Sequence, residues 1–159
     1  MIFDVKDANI LIIDDNLANL ELLTEILKTH DFRNIKTVDN PNRALDLFLE
    51  FNPDIVLLDL LMPEISGIQV LQIINAQLAE KEYLPIIVIT AETNYQSRIE
   101  ALSMGARDFI TKPFDVLEII LRIQNLLETR YFYKHLINRN KQLEQKLIEF
   151  LKVADEWYK

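Results

Sequence analysis

The sequence predicts an α/β protein: a doubly wound, five-stranded parallel sheet with five helices, the last running on beyond the domain. Three observations predict it. Short apolar runs alternate with amphipathic stretches five times along the chain. Several of those runs are apolar at nearly every position, as strands buried on both faces must be. Strict alternation of strand and helix calls for parallel strands joined by right-handed crossovers.

The strands are expected at Asn9 to Ile13 (NILII), Ile35 to Val38, Asp54 to Leu58 (DIVLL), Pro85 to Ile89 (PIIVI) and Asp108 to Ile110. Helical patterns lie between them. Leu17 to Thr29 carries Leu20, Leu23, Ile26 and Leu27 at helical spacing, and Asn42 to Phe51 follows. Gly67 to Glu80 places Ile68, Leu71 and Ile74 on one face, Asn94 to Met104 is the fourth helix, and the fifth starts at Val116. The punctuation agrees: Asn40-Pro41 leads into the second helix, Asn52-Pro53 breaks its end, and Gly105 follows the fourth as a C-terminal cap.

Half of the 159 residues are apolar, enough for one core plus an extension. Cysteine is absent, which removes disulfides and thiolate metal ligation. The opening residues lack a basic leader, and no apolar run approaches the roughly 20 residues that span a bilayer, so a soluble cytoplasmic protein without a membrane partner is expected. The net charge of -8 is uneven: residues 1 to 115 hold 9 Lys/Arg against 19 Asp/Glu, and residues 116 to 159 hold 8 against 6. Such a balance disfavours direct nucleic-acid binding, which draws its affinity from basic side chains on phosphates. It suits a site that holds a cation.

The polar residues that interrupt this pattern cluster at strand ends. Asp14-Asp15 closes the first strand, Asp59 the third and Thr90 the fourth, while Lys112 follows the fifth. In an open α/β sheet ligands bind beyond the carboxyl ends of the strands where the order reverses, and in the order 2-1-3-4-5 that crevice separates the first and third strands. Asp14, Asp15 and Asp59 therefore converge. Three such carboxylates raise one another's pKa unless a cation joins them. Magnesium, which prefers oxygen ligands and is commonly held by one or two carboxylates plus phosphate oxygens, resolves the repulsion. Lys112 adds a fixed positive charge and Thr90 a hydroxyl, the groups a phosphoryl oxygen needs as charge moves onto it. His30 and His135 lie in polar helical surroundings without metal-ligand spacing and read as solvated surface.

The runs LIIDDN, DIVLLDLLMPEISGIQVL, PIIVITA and GARDFITKPF, in this order, resemble the receiver domains of two-component response regulators over roughly residues 8 to 125. The resemblance implies a flavodoxin-like fold and makes Asp59 the phosphoacceptor. Asp14 and Asp15 then bind magnesium, or manganese in its place, one of them through water, with Asp59 and the Leu61 backbone carbonyl as further ligands. Lys112 pairs with the phosphoryl group, and Thr90 and the Ala91 backbone amide hydrogen-bond its oxygens. Phe109 takes the place of the switch aromatic, Lys112-Pro113 that of a cis peptide bond, and Leu61 and Glu92 the places where receivers tune hydrolysis. The implied donor is the phosphohistidine of a histidine kinase or phosphotransfer protein, so the chain is a phosphoacceptor and not an enzyme with a small-molecule product. A phosphohydrolase that forms an aspartyl-phosphate is the competing chemistry. Such enzymes need an acid/base Asp two residues after the nucleophile, and Leu61 stands there.

No Pro or Gly occurs from Asp115 to Lys159, which predicts one helix of about 40 residues. We expect a receiver domain over 1–124 and a helical extension over 125–159. A 3,4-spaced frame runs from Ile119 through Arg122, Leu126, Thr129, Tyr133 and Leu136 to Trp157, and its apolar stripe is well formed from Tyr133. Asn140 falls at an a position and Arg139 and Glu144 at g and the next e, a pattern that favours a parallel two-stranded coil. The start of the stripe, Ile119, Ile123 and Leu126, is expected to pack on the domain itself. A parallel homodimer through this helix is the expected partner arrangement, against a groove-binding or domain-docking helix. Receivers with such tails also resemble the front ends of multidomain regulators, including diguanylate cyclases and cyclic-di-GMP phosphodiesterases, which leaves room for a downstream effector domain. A stand-alone partner-binding regulator gated by phosphorylation is the alternative.

Overall fold

Period-two alternation within the strands sorts the apolar side chains onto two faces of one sheet. A computed structural model of the chain describes residues 4–78 and 82–159. After a short 3₁₀ turn at Val5–Asp7, the elements run β1 (Asn9–Ile13), α1 (Leu17–Thr29), β2 (Asn34–Val38), α2 (Ala44–Phe51) and β3 (Ile55–Leu58). They continue with α3 (Gly67–Ala76), β4 (Ile86–Thr90), α4 (Tyr95–Ser103), β5 (Asp108–Thr111) and α5 (Val116–Trp157). The sheet is parallel throughout, with order β2-β1-β3-β4-β5. Ile10 and Ile12 of β1 join Ile55, Leu57, Ile87 and Ile89 under α1 and α5. Their neighbours Leu11 and Ile13 join Val56, Leu58, Ile86 and Val88 under α2, α3 and α4. β3 and β4 are buried at every position, as their unbroken apolar runs require, whereas the edge strand β2 buries only Val38 in full.

Local chemistry fixes the ends. Asn16 caps α1 by accepting from the amides of Ala18 and Asn19, Ser66 and Gln69 form a reciprocal capping box on α3, and Asp115 caps α5 through the Glu118 amide. Asn52 ends α2 in the left-handed conformation. The second helix opens later than its sequence pattern implies. Pro41, without an N–H, sits in a 3₁₀ turn capped by Asn40, and α-helical bonding begins at Ala44. The third helix stops at Ala76, short of the expected Glu80, because the amides of Gln77 and Leu78 turn to Ile74 and Asn75 in a tightened last turn; Glu80 itself lies outside the described residues. Thr90 is the last residue of β4 and closes that strand, as expected.

The fifth helix is uninterrupted for 42 residues. Ile119, Ile120, Ile123 and Leu127 enter the α1-side core, with Leu126 and Tyr131 partly buried against it. Packing continues past residue 124. Arg130 is buried, and Tyr133, expected at the head of a free stripe, instead sets its ring 5.7 Å from that of Tyr83. Arg122, in the same frame, pairs with Asp108 and Glu118. The helix starts beside the carboxyl ends of the strands and reaches Asp54, at the foot of β3, only at Arg130, so its free length leaves from the opposite pole. No helix among the described residues is long and apolar enough to cross a membrane.

Candidate functional site

Two adjacent parallel strands, β1 and β3, end in register and carry acids at their ends. Ile13 pairs with Leu58, and the Asp59 amide donates to the Ile13 carbonyl at 3.0 Å, which draws the Asp14-Asp15 turn against Asp59. Carboxylate oxygens of Asp14, Asp15 and Asp59 lie within 4.8 Å of one another. Asp14 and Asp59 are buried and Asp15 is more open. Lys112 is delivered from the end of β5, its amide donating to the Thr90 carbonyl at 2.8 Å, and precedes a cis bond to Pro113. Its ammonium donates to Asp14 Oδ2 at 3.0 Å and to Asp59 Oδ2 at 3.2 Å.

Every oxygen of the two buried carboxylates is engaged. The Asn16 amide donates to Asp14 Oδ1 at 2.9 Å, the Asn19 side chain to Asp14 Oδ2 at 3.1 Å, and the Leu61 amide to Asp59 Oδ1 at 3.0 Å. Burial pushes the Asp14 carboxyl above its ordinary range, opposed by the Asn16 hydrogen bond and Lys112 and reinforced by the charge of Asp59. With all three acids ionised, the cluster carries two negative charges more than Lys112 neutralises. A hard divalent cation held by oxygens supplies that charge, so the donor set fits magnesium.

A tight floor sets this geometry. A Cβ at Gly67 would meet the Asp59 carbonyl oxygen at 2.3 Å and Leu60 Cα at 2.5 Å, both backbone, so only glycine lets α3 begin directly under the loop that follows Asp59. Of the remaining expected residues, Thr90, Ala91 and Leu61 lie at or just past the same carboxyl ends of the strands. Thr90 is buried and its hydroxyl oxygen accepts from the Glu92 amide at 3.3 Å, beside the exposed Ala91. Leu61 projects to solvent. Phe109 is not among the acids; it lies in the core with Leu58, Val88 and Ala101, under the Arg98 guanidinium 5.7 Å from its ring centroid. Sequence reading missed Asn19 and Gly67. Asn19 had a readable signal, a polar residue one turn into the helix that starts beside Asp14. Gly67's role depends on a backbone approach that no local pattern encodes.

Residues 10–124 match the family model of the response regulator receiver domain. The chain belongs to this family. The transcriptional regulatory protein ResD of Bacillus subtilis is 34% identical over 139 residues, 85% of this chain and 56% of ResD. The response regulator ArlR of Staphylococcus aureus is 35% identical over 120 residues, 76% of this chain and 52% of ArlR. The receiver chain therefore spans about half the length of the curated relatives it matches. Among solved structures, the BeF3-activated N-terminal receiver domain of RstA from Klebsiella pneumoniae aligns with a TM-score of 0.68 at 25% identity, covering 75% of this chain and 97% of that one. The chemotaxis protein CheY4 of Vibrio cholerae has the same fold, with a TM-score of 0.69 at 22% identity over 76% of this chain and 98% of its own.

Proposed function

We propose that this receiver is a phosphoacceptor of a two-component phosphorelay and that Asp59 takes the phosphoryl group from a phosphohistidine of a histidine kinase or phosphotransfer protein. The observation that carries this reading is the Lys112 ammonium bridging Asp14 and Asp59 at the mouth of the acid cluster. An Asp59 carboxylate oxygen attacks phosphorus, the P–N bond to the imidazole breaks, and the imidazole nitrogen departs with its electron pair and is protonated. An acyl phosphate on Asp59 is the product, and water later hydrolyses it.

The chain's own groups are placed for that step. Lys112 stays beside the Asp59 carboxylate and offsets charge on the transferred oxygens, and the Leu61 amide holds the second carboxylate oxygen and thereby orients the nucleophile. The Thr90 hydroxyl and the Ala91 amide donate to phosphoryl oxygens once the group arrives. Magnesium, held by Asp14, Asp15, Asp59 and the Leu61 carbonyl, supplies charge neutralisation for the phosphoryl oxygens when bound. Phe109, inward beside Val88 one strand from Thr90, is the aromatic whose packing reports the Thr90 position.

We assign residues 1–124 to the phosphoacceptor domain and 125–159 to an extension that pairs with a second copy in parallel and carries the state of Asp59 to that subunit or to an effector domain. Incubation with acetyl phosphate and magnesium tests the first part. The reading expects the mass of one phosphate to be added to the wild type and none to Asp59→Asn; equal labelling of that variant would refute it.

A further inference from the structure

Helix α5 has two faces with separate tasks. The residues that dock on the domain, Ile119, Ile120, Ile123, Leu127 and Arg130, form one arc of the helix. Leu136, Leu143, Leu147, Phe150 and Trp157 are all more than half exposed. At 3.6 residues per turn, these five centre roughly 160° around the helix from the docked arc. The expected frame from Ile119 to Trp157 therefore does not keep to one side: a seven-residue repeat drifts about 20° per heptad on a straight helix, about 110° over this length, which carries the stripe from the edge of the buried side onto the outer side. Tyr133, at the turning point, is taken by Tyr83 of its own domain. Phe132, 70% exposed, lies on the outer face instead.

Resting on the paired-tail reading above, we propose that a second copy of this chain docks along the outer face of α5 from Leu136 to Trp157, back to back with the receiver. The two receivers then stand on the outer sides of a two-helix stalk, with their Asp59 pockets at the pole away from it. Charge favours a copy of the same chain in parallel. Arg139 and Glu144 flank opposite sides of the outer face, so parallel copies bring Arg139 of each against Glu144 of the other, whereas antiparallel copies set the cation-bearing flank of Arg139 and Lys146 against itself. Asn140 lies in the seam between Leu136 and Leu143, where two copies satisfy each other's amides only in register.

The chain has no cysteine, so single-cysteine variants of the full chain report one position each. Leu136→Cys and Leu143→Cys sample the outer face; Lys141→Cys and Ile148→Cys sample the face in line with the docked arc. We expect oxidation to convert the first pair into disulfide-linked dimers several-fold more completely than the second pair, with light scattering of the reduced wild type giving a dimer mass. A dimer in which Lys141→Cys and Ile148→Cys cross-link as well as or better than the outer pair overturns the back-to-back arrangement and leaves tail pairing standing. A monomer at high concentration overturns both.

Discussion

Arg130 Nε donates to Asp54 Oδ1 at 3.2 Å, joining the long helix to the foot of the strand whose far end is Asp59. The pair is well enclosed, with side-chain exposures of 3% and 13%. The Arg130 guanidinium also donates to the Tyr83 carbonyl, Lys134 approaches Asp54 to 3.5 Å, and the second Asp54 oxygen accepts from the Asn9 amide at 2.9 Å. One acid thus ties β1, β3 and α5 together at the pole where the tail leaves the domain.

Removing Arg130 takes a buried, hydrogen-bonded partner from Asp54 but leaves it the Asn9 amide and Lys134, so the expected cost is about 2 kcal/mol, below that of a fully stranded charge. Arg130→Met is therefore expected to lower the urea midpoint with an unchanged slope and to raise hydrogen exchange in α5 after Leu127. A loss below about 1 kcal/mol would show that the pair is dispensable and the helix is held by Ile119, Ile123 and Leu127 alone.

Gly67→Ala places a methyl group against the backbone of Asp59 and Leu60, neither of which can swing aside. We expect a loss of about 2 kcal/mol in thermal or urea unfolding, in the range of overpacked sites, together with slower phosphorylation by acetyl phosphate. Wild-type behaviour in both assays would mean that the start of α3 is free to move.

Lys112→Met leaves the clustered acids without their cation. Its melting temperature in EDTA is expected to fall below that of the wild type, and millimolar magnesium is expected to raise it by a larger increment, since binding to the folded state alone stabilises it. Equal increments in the two proteins would contradict the electrostatic account of the cluster.

Asn19→Ala removes the side-chain donor to Asp14 Oδ2. Outer partners of metal ligands typically contribute 10- to 100-fold in affinity, and about tenfold weaker magnesium binding by calorimetry is expected here. Unchanged affinity would place Asn19 outside the site's support.

Most of the fold was legible because the information is local. Five near-continuous apolar runs, the helical spacing between them and the breaks at Asn40-Pro41, Asn52-Pro53 and Gly105 each act within a few positions. The acid cluster was legible because strand ends and strand order place Asp14, Asp15 and Asp59 together without any knowledge of side-chain contacts. Arg130 was not. In a tail of alternating charges it reads as a solvated cation, and only the packing of α5 onto β3 brings it to an acid 76 positions earlier. Gly67 was hidden for the same reason, its constraint being the backbone of Asp59 and not its neighbours in sequence. Tyr133 was hidden too: its partner Tyr83 lies 50 positions earlier, just before β4, a tertiary contact that no repeat in the sequence encodes.

The central claim, that Asp59 carries the phosphoryl group, is tested most directly by trapping the acyl phosphate where it forms. Borohydride reduces an aspartyl-phosphate to homoserine, and peptide mass spectrometry then locates the converted residue. After incubation with acetyl phosphate and magnesium, conversion is expected at residue 59 and not at Asp14 or Asp15. Conversion at either of those acids, or a labelled protein with Asp59 intact, would contradict the account.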